Sequence, residues 1–230
     1  MPEEWQYKHF KPLVAIPSPR NIKAFEDAVD DELEEYDVVW FKYFPQWADP
    51  YAKIKSFFLS HKKYTHLIIL PDDLIVTREG VGKIVDLILK NPDRYRVIMG
   101  NCRTEFNAPY MAMTKNLPDL DRKTRVYEWY TWQEVHKFNN MPVKVKHAGT
   151  PFAVLRRDVV EQVSLDNDYY WNQDTGSAGT SEDVVLSHDL HRLKIPIYVH
   201  TGVEFTHLRG TPEAFLTNTE RMAAKMVRKN

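Results

Sequence analysis

The sequence predicts an α/β protein, an α/β/α sandwich built on a mainly parallel sheet. Two observations carry that expectation. Short apolar runs recur along the chain, and between them lie stretches of about a dozen residues whose apolar positions fall three and four apart. Strands that alternate with amphipathic helices pair in parallel, because each crossover helix returns the chain to the same end of the sheet and covers one of its faces.

The elements follow in order. Lys11 to Arg20 reads as a buried strand running into a proline-broken loop, and Ile22, Phe25, Val29 and Leu33 then mark the inner face of a helix. Glu26, Asp27, Asp30, Asp31, Glu32, Glu34 and Glu35 fill its other faces and read as a solvated surface. Asp37 to Phe41 is a second strand, and Tyr51 to Lys62 a second helix with Tyr51, Ile54, Phe57 and Phe58 on one stripe. Thr65 to Val76 is read as the third strand. A helix from Glu79 to Lys90 carries Val81, Ile84, Val85, Ile88 and Leu89 and is stopped by Asn91-Pro92. Tyr95 to Gly100 is a fourth strand.

From Asn101 to about His147 no period is visible, and the segment reads as a long functional loop that holds the ring-rich stretch Tyr127 to Trp132. Gly149 to Leu155 is a strand and Arg157 to Val163 a short helix. A polar loop, 166–179, leads to a helix over Thr180 to Leu193, with Thr180 as N-cap, and Ile195 to His200 is the final strand. Residues 211–230 read as a basic tail or helix. With no repeat, linker or low-complexity tract, the expectation is one domain over 1–230 with a core from about 12 to 208.

Composition narrows the function classes. The 230 residues carry 31 basic and 32 acidic side chains, a net charge of -1, so no overall field draws the protein to nucleic acid, and none is expected as a partner. The single cysteine, Cys102, reads as an inert core thiol and fits a reducing compartment. The first residues lack the basic start and apolar run of a signal peptide, and nowhere do 18 apolar residues follow one another, so the expected location is cytoplasmic. The basic tail is read as a solvated end, with peripheral contact to an anionic membrane as the alternative.

Three groups of residues are candidates for chemistry. Pro71-Asp72-Asp73 places two carboxylates straight after an apolar strand, where an acid is costly unless solvated, paired or bound to a cation. Turn formation is the plain reading. Ser181-Glu182-Asp183 opens a helix, where acids also serve the helix dipole. His207 follows the last strand, and His188 and His191, three apart on one helix, read as surface histidines.

Taken in order, the aspartate pair after a strand, the Gly-Thr-Pro-Phe strand followed by Arg156-Arg157-Asp158, the Ser-Glu-Asp helix start, Ile-Pro-Ile-Tyr-Val and the downstream His resemble the GT-A class of glycosyltransferases, family 2 type, from Pro12 to about Leu208. The resemblance implies a Rossmann-like nucleotide-diphospho-sugar transferase fold and a metal-dependent transfer of sugar from a nucleotide diphosphate to a hydroxyl, with inversion. Asp73 matches the family's metal-binding carboxylate, Asp72 the acid near the ribose, Asp183 the catalytic base with Glu182 beside it, and His207 the histidine that completes the metal site. Ile16 and Arg20 match the loop that holds the nucleotide. Pro71 stands where the family usually has Asp.

Mixed oxygen and nitrogen ligands suit Mn2+, with Mg2+ the alternative. Implied partners are a nucleotide-sugar donor and a glycan, lipid-linked or protein acceptor. Trp129, Tyr130 and Trp132, or Tyr169, Tyr170 and Trp171, are rings suited to stack on an acceptor sugar or to pack in the core. Two other readings stand beside this one. A binding or assembly protein that kept the fold without the chemistry is favoured by Pro71. A sugar nucleotidyltransferase is disfavoured because Pro17-Ser18-Pro19-Arg20 has no glycine with which to cradle a triphosphate.

Overall fold

The structure, a computed structural model, describes residues 10–18, 22–42, 50–121, 123–165, 171–172, 177–178, 181–209 and 211. Strand β1 (Pro12–Ser18) is buried along its whole length between β2 (Asp37–Lys42) and β3 (His66–Ile69), both parallel to it. Its alternation serves two cores at once. Leu13 and Ala15 face one hydrophobic cluster, and Val14 and Ile16 face the other. Helix α1 (Lys23–Glu32) connects β1 to β2 and buries Phe25 and Val29, with Ile22 and Leu33 buried at its ends. Helix α2 (Pro50–Ser60) buries Ile54 and Phe58 against the opposite face, with Tyr51 and Phe57 half-buried beside them.

The Thr65–Val76 segment is not one strand. β3 ends at Ile69, the chain turns through Asp72 and Asp73, and Leu74–Ile75 forms β4 at the far edge of the sheet. Helix α3 (Arg78–Lys90), capped by the Thr77 side chain, packs Val81, Ile84 and Ile88. Leu89, predicted on that face, is 48% exposed because one residue turns it about 100° off the stripe. β5 (Val97–Cys102) follows.

The stretch read as a long loop carries short elements: β6 (Tyr110–Thr114), β7 (Trp129–Thr131), α4 (Trp132–His136), β8 (Pro142–Val145) and β9 (His147–Ala148). β7, β6 and β9 form a separate three-stranded sheet that buries Met111 and Met113. Strands of two to five residues are too short for a period to show.

β10 (Ala153–Arg156) starts later than the sequence suggested and runs antiparallel between β3 and β5. The turn before it holds Thr150 and Phe152 at φ 55 and 49, left-handed conformations that side chains with a Cβ adopt rarely. Helix α5 (Arg157–Gln162), the short pair β11 (Trp171–Asn172) and β12 (Ser177–Ala178), and helix α6 (Glu182–Arg192) precede β13 (Ile197–His207). β13 continues seven residues past the predicted end at His200, through a register shift between Val199 and Glu204. At Gly100 the backbone of β5 passes under the Phe205 ring of β13; a Cβ there would stand 2.3 Å from the ring, so glycine is required.

The main sheet runs β2-β1-β3-β10-β5-β13-β4, with β8 also paired to β13. α1 and α3 cover one face, and α2, α5 and α6 the other. The result is the α/β/α sandwich with a mainly parallel sheet that the sequence predicted. Among the described residues no helix is long and apolar enough to cross a membrane.

Candidate functional site

Open parallel sheets bind ligands outside the carboxyl ends of their strands. Here the carboxyl ends of β1, β3, β5 and β13 lie along one edge, together with the amino end of the antiparallel β10. Ser18, Asp72, Asp73, Arg103, His207 and the turn 149–152 therefore collect there. We call it the carboxyl edge.

Asp73 and His207 meet at this edge, with Asp73 Oδ2 3.4 Å from His207 Nε2. The backbone fixes the approach. His207 pairs with Leu74 in the β13–β4 ladder, and the Leu208 N–H donates to the Asp73 carbonyl at 2.7 Å. On the other side of the ring, His207 Nδ1 lies 3.0 Å from the Arg103 carbonyl oxygen. A carbonyl only accepts, so Nδ1 carries the hydrogen, and in the neutral ring the Nε2 lone pair faces the Asp73 carboxylate. Two electron-rich atoms held so close are stabilised by a proton on Nε2 or by a cation that both bind.

That arrangement fits a divalent cation. Two ligands bound at about 2.1 Å and at right angles lie about 3 Å apart, close to the 3.4 Å seen. The Nδ1–H bond to a carbonyl is the usual outer support of a metal-binding histidine. Asp72 and Asp73 are both buried, and the charge of Asp73 adds to burial in pushing the Cys102 thiol up. Among the described residues no group of three or more His, Cys, Asp or Glu side chains is set to hold a metal. A cation here would need ligands beyond these two side chains.

The second cluster surrounds Asp183, in the first turn of α6. A Cβ added at Gly149 would stand 3.7 Å from Asp183 Oδ2, which sets the carboxylate beside the carboxyl-edge turn. His147, at the start of β9, presents Nε2 3.7 Å from the same oxygen and is fully buried. The sequence did not single it out. Burial holds its imidazole below the usual histidine range, against the pull of the Asp183 charge. The Tyr127 and Trp129 rings stack on each other at 4.6 Å and border His147 at 5.8 and 6.4 Å.

The chain matches no family model and no curated protein by sequence. Solved structures do resemble it. A197 from STIV superposes with a TM-score of 0.56 at 16% identity, over 86% of this chain and 85% of that one. GalNAc-T7, crystallised with UDP, GalNAc and Mn2+, superposes with a TM-score of 0.51 at 12% identity, over 88% of this chain and 44% of that one. The fold is similar to that of GT-A glycosyltransferases. This chain spans less than half the length of the GalNAc-T7 chain.

The other predicted residues fall as follows. Glu182 opens α6 and accepts from the Tyr51 hydroxyl at 3.3 Å. The N-cap of α6 is Ser181, whose side chain makes no capping bond, and Thr180 lies outside the described residues. Ile16 belongs to the strand rather than to a loop, and its side chain is wholly buried in the core, which leaves it no surface for a nucleotide. Arg20, Tyr169, Tyr170 and the tail 212–230 lie outside the described residues. His188 bonds the Pro118 carbonyl at 2.8 Å and His191 is exposed. His207 ends β13 itself instead of following it on a loop.

Proposed function

We propose that this chain is a single-domain, metal-dependent glycosyltransferase of the family 2 type, transferring a sugar from a nucleotide diphosphate to a hydroxyl acceptor with inversion. The observation that supports it most is the Asp73–His207 pair at the carboxyl edge, whose facing electron pairs suit a shared cation. A divalent cation there would offset the charge that builds on a departing diphosphate.

The chain's own residues supply the rest. Asp73 and His207 would anchor the diphosphate end of the donor through that ion, and Asp72 would stand near the ribose. Asp183, beside the turn that lies at the same edge, would take the proton of the attacking hydroxyl, with Glu182 next to it. The half-exposed Tyr127 and Trp129 rings would give an acceptor sugar a flat apolar surface. Arg20 is the candidate for a phosphate contact.

The test is the melting temperature with Mn2+ and each of UDP, GDP, CDP and dTDP, with EDTA and Asp73→Ala as controls. Ligand at a hundred times its dissociation constant adds about 2.7 kcal/mol, roughly 5 to 11 °C for a domain of this size. A rise with one nucleotide that needs both the metal and Asp73 is the expected result. No rise with any of them at millimolar concentration would favour a binding or assembly protein that kept the fold, the reading to which Pro71 points.

A further inference from the structure

His147 is the buried group that the reading above leaves unused. Its hydrogen-bond partners fix its chemistry. The Ser187 hydroxyl lies 2.7 Å from the Asp183 carbonyl oxygen, which only accepts, so that hydroxyl donates to it. The same Ser187 Oγ lies 2.9 Å from His147 Nδ1 and must therefore accept from an Nδ1–H. In the neutral ring Nε2 is then a bare lone pair. It is buried, has no hydrogen-bond partner among the described residues, and faces Asp183 Oδ2 at 3.7 Å.

Two acceptors converging on one point need a proton to share, and the proposed reaction releases one there. We propose that His147 Nε2 is the final seat of the proton given up by the acceptor hydroxyl, received by way of Asp183. The proposal rests on Asp183 being the base. As the hydroxyl oxygen forms its bond to the sugar C1, the bond from C1 to the diphosphate oxygen breaks, and its electron pair leaves with the nucleotide. The hydroxyl proton moves to Asp183 Oδ2 and on to Nε2. That leaves an imidazolium opposite a restored carboxylate. The restored Asp183 charge opposite Nε2 favours the imidazolium and draws the proton onto the ring, against the cost of burial. The charged groups that bear on the ring are Asp183 and His188 of α6 and Arg125 ahead of β7, and burial keeps the resting ring neutral.

The test uses the full chain with Mn2+ and a panel of UDP-glucose, UDP-N-acetylglucosamine, GDP-mannose and dTDP-rhamnose. Release of nucleoside diphosphate is followed from pH 5 to 9, with water as the acceptor. His147→Gln keeps an accepting atom near Nε2 but takes no proton at these pH values. Its rate should fall about 100-fold, within the range expected for lost proton transfer, and the part of the acid-side decline that saturating Mn2+ does not relieve should disappear. A variant with wild-type rate and profile overturns the role of His147 and leaves the transferase reading standing. A wild-type chain that cleaves none of the four donors overturns that reading, and this proposal with it. Should His147→Gln not fold, 15N NMR of the wild-type imidazole decides: a bare Nε2 at pH 7 is expected, and a hydrogen on Nε2 overturns the proposal.

Discussion

The two edges of the sheet use the same kinds of side chain in opposite ways. At the amino edge of the parallel strands, Arg156 is 6% exposed and bonds Asp158 through Nε at 2.7 Å and Nη2 at 3.0 Å. It also reaches Asp93 at 2.8 Å, and Arg96 bonds Asp158 at 2.7 Å. Burial works against the Asp158 carboxylate, yet Arg156 and Arg96 hold it below the usual range. Donor meets acceptor in each of these contacts, and among the described residues only Arg96 Nε is left buried without one in this group of arginines and aspartates. At the carboxyl edge, acid meets histidine twice, at 3.4 and 3.7 Å, and in each pair the bond on the far side of the ring leaves the acid facing a lone pair. Matched donors and acceptors stabilise a fold, and an acid set against a histidine lone pair is suited to proton or cation chemistry.

This contrast can be broken at either edge. The largest effect expected is on rate. Asp183→Asn should lower turnover by 100- to 10,000-fold, the range for a lost general base, while the melting temperature stays within a few degrees of wild type. A rate loss that only tracked unfolding would erase the distinction between the edges. Next in size is Asp158→Ala, which takes the shared carboxylate from two guanidinium groups and leaves Arg156 with Asp93 and the Pro92 carbonyl. Breaking a buried ion pair costs about 3 kcal/mol or more, and the melting temperature should drop by roughly 6 to 12 °C with nucleotide binding intact.

The smallest effect sharpens the comparison through pH. His66, paired with Arg156 across β3 and β10, is pushed down to about 3 by burial and then by the Arg156 charge. Its unfolded value is near 6.5. Between those values the unfolded chain binds more protons, so the stabilisation is complete above pH 6.5 and is lost as the pH falls, about 1.4 kcal/mol of it by pH 5.5. His147 and His200, also held low, act in the same direction. Urea titrations at pH 7 and 5.5 should show the loss, and His66→Phe should reduce it.

Much of the sandwich was legible because its long helices impose a period. Ile22, Phe25, Val29 and Leu33 stand at helical spacing, and all four are buried. Topology was harder to read. β10 is an apolar run like β3, and nothing in Ala153-Val154-Leu155 states that it inserts antiparallel between β3 and β5. The apolar residues after Asp73 looked like a continuation of one strand, although the turn sends them to the opposite side of the sheet. Asp73, His207 and Asp183 were named from the order of short motifs, and the structure sets Asp73 against His207. His147 escaped because no period was seen from Asn101 to about His147, although Val143-Lys144-Val145-Lys146-His147 alternates as a strand does. The available signal was that this strand runs into Gly149-Thr150, a sharp turn that a buried histidine borders.

The approach of Asp73 to His207 also has a mechanical side. β3 lies early in the chain and β13 late, and the segment between them includes most of the sheet. Anything that bridges these two side chains acts as a removable cross-link over a very long loop, and closing a long loop restricts the unfolded chain more than closing a short one. Occupancy of the gap would therefore add to the stability of the whole sheet, and the site forms only once β13 has docked. A nascent chain that lacked that strand would hold no such clamp.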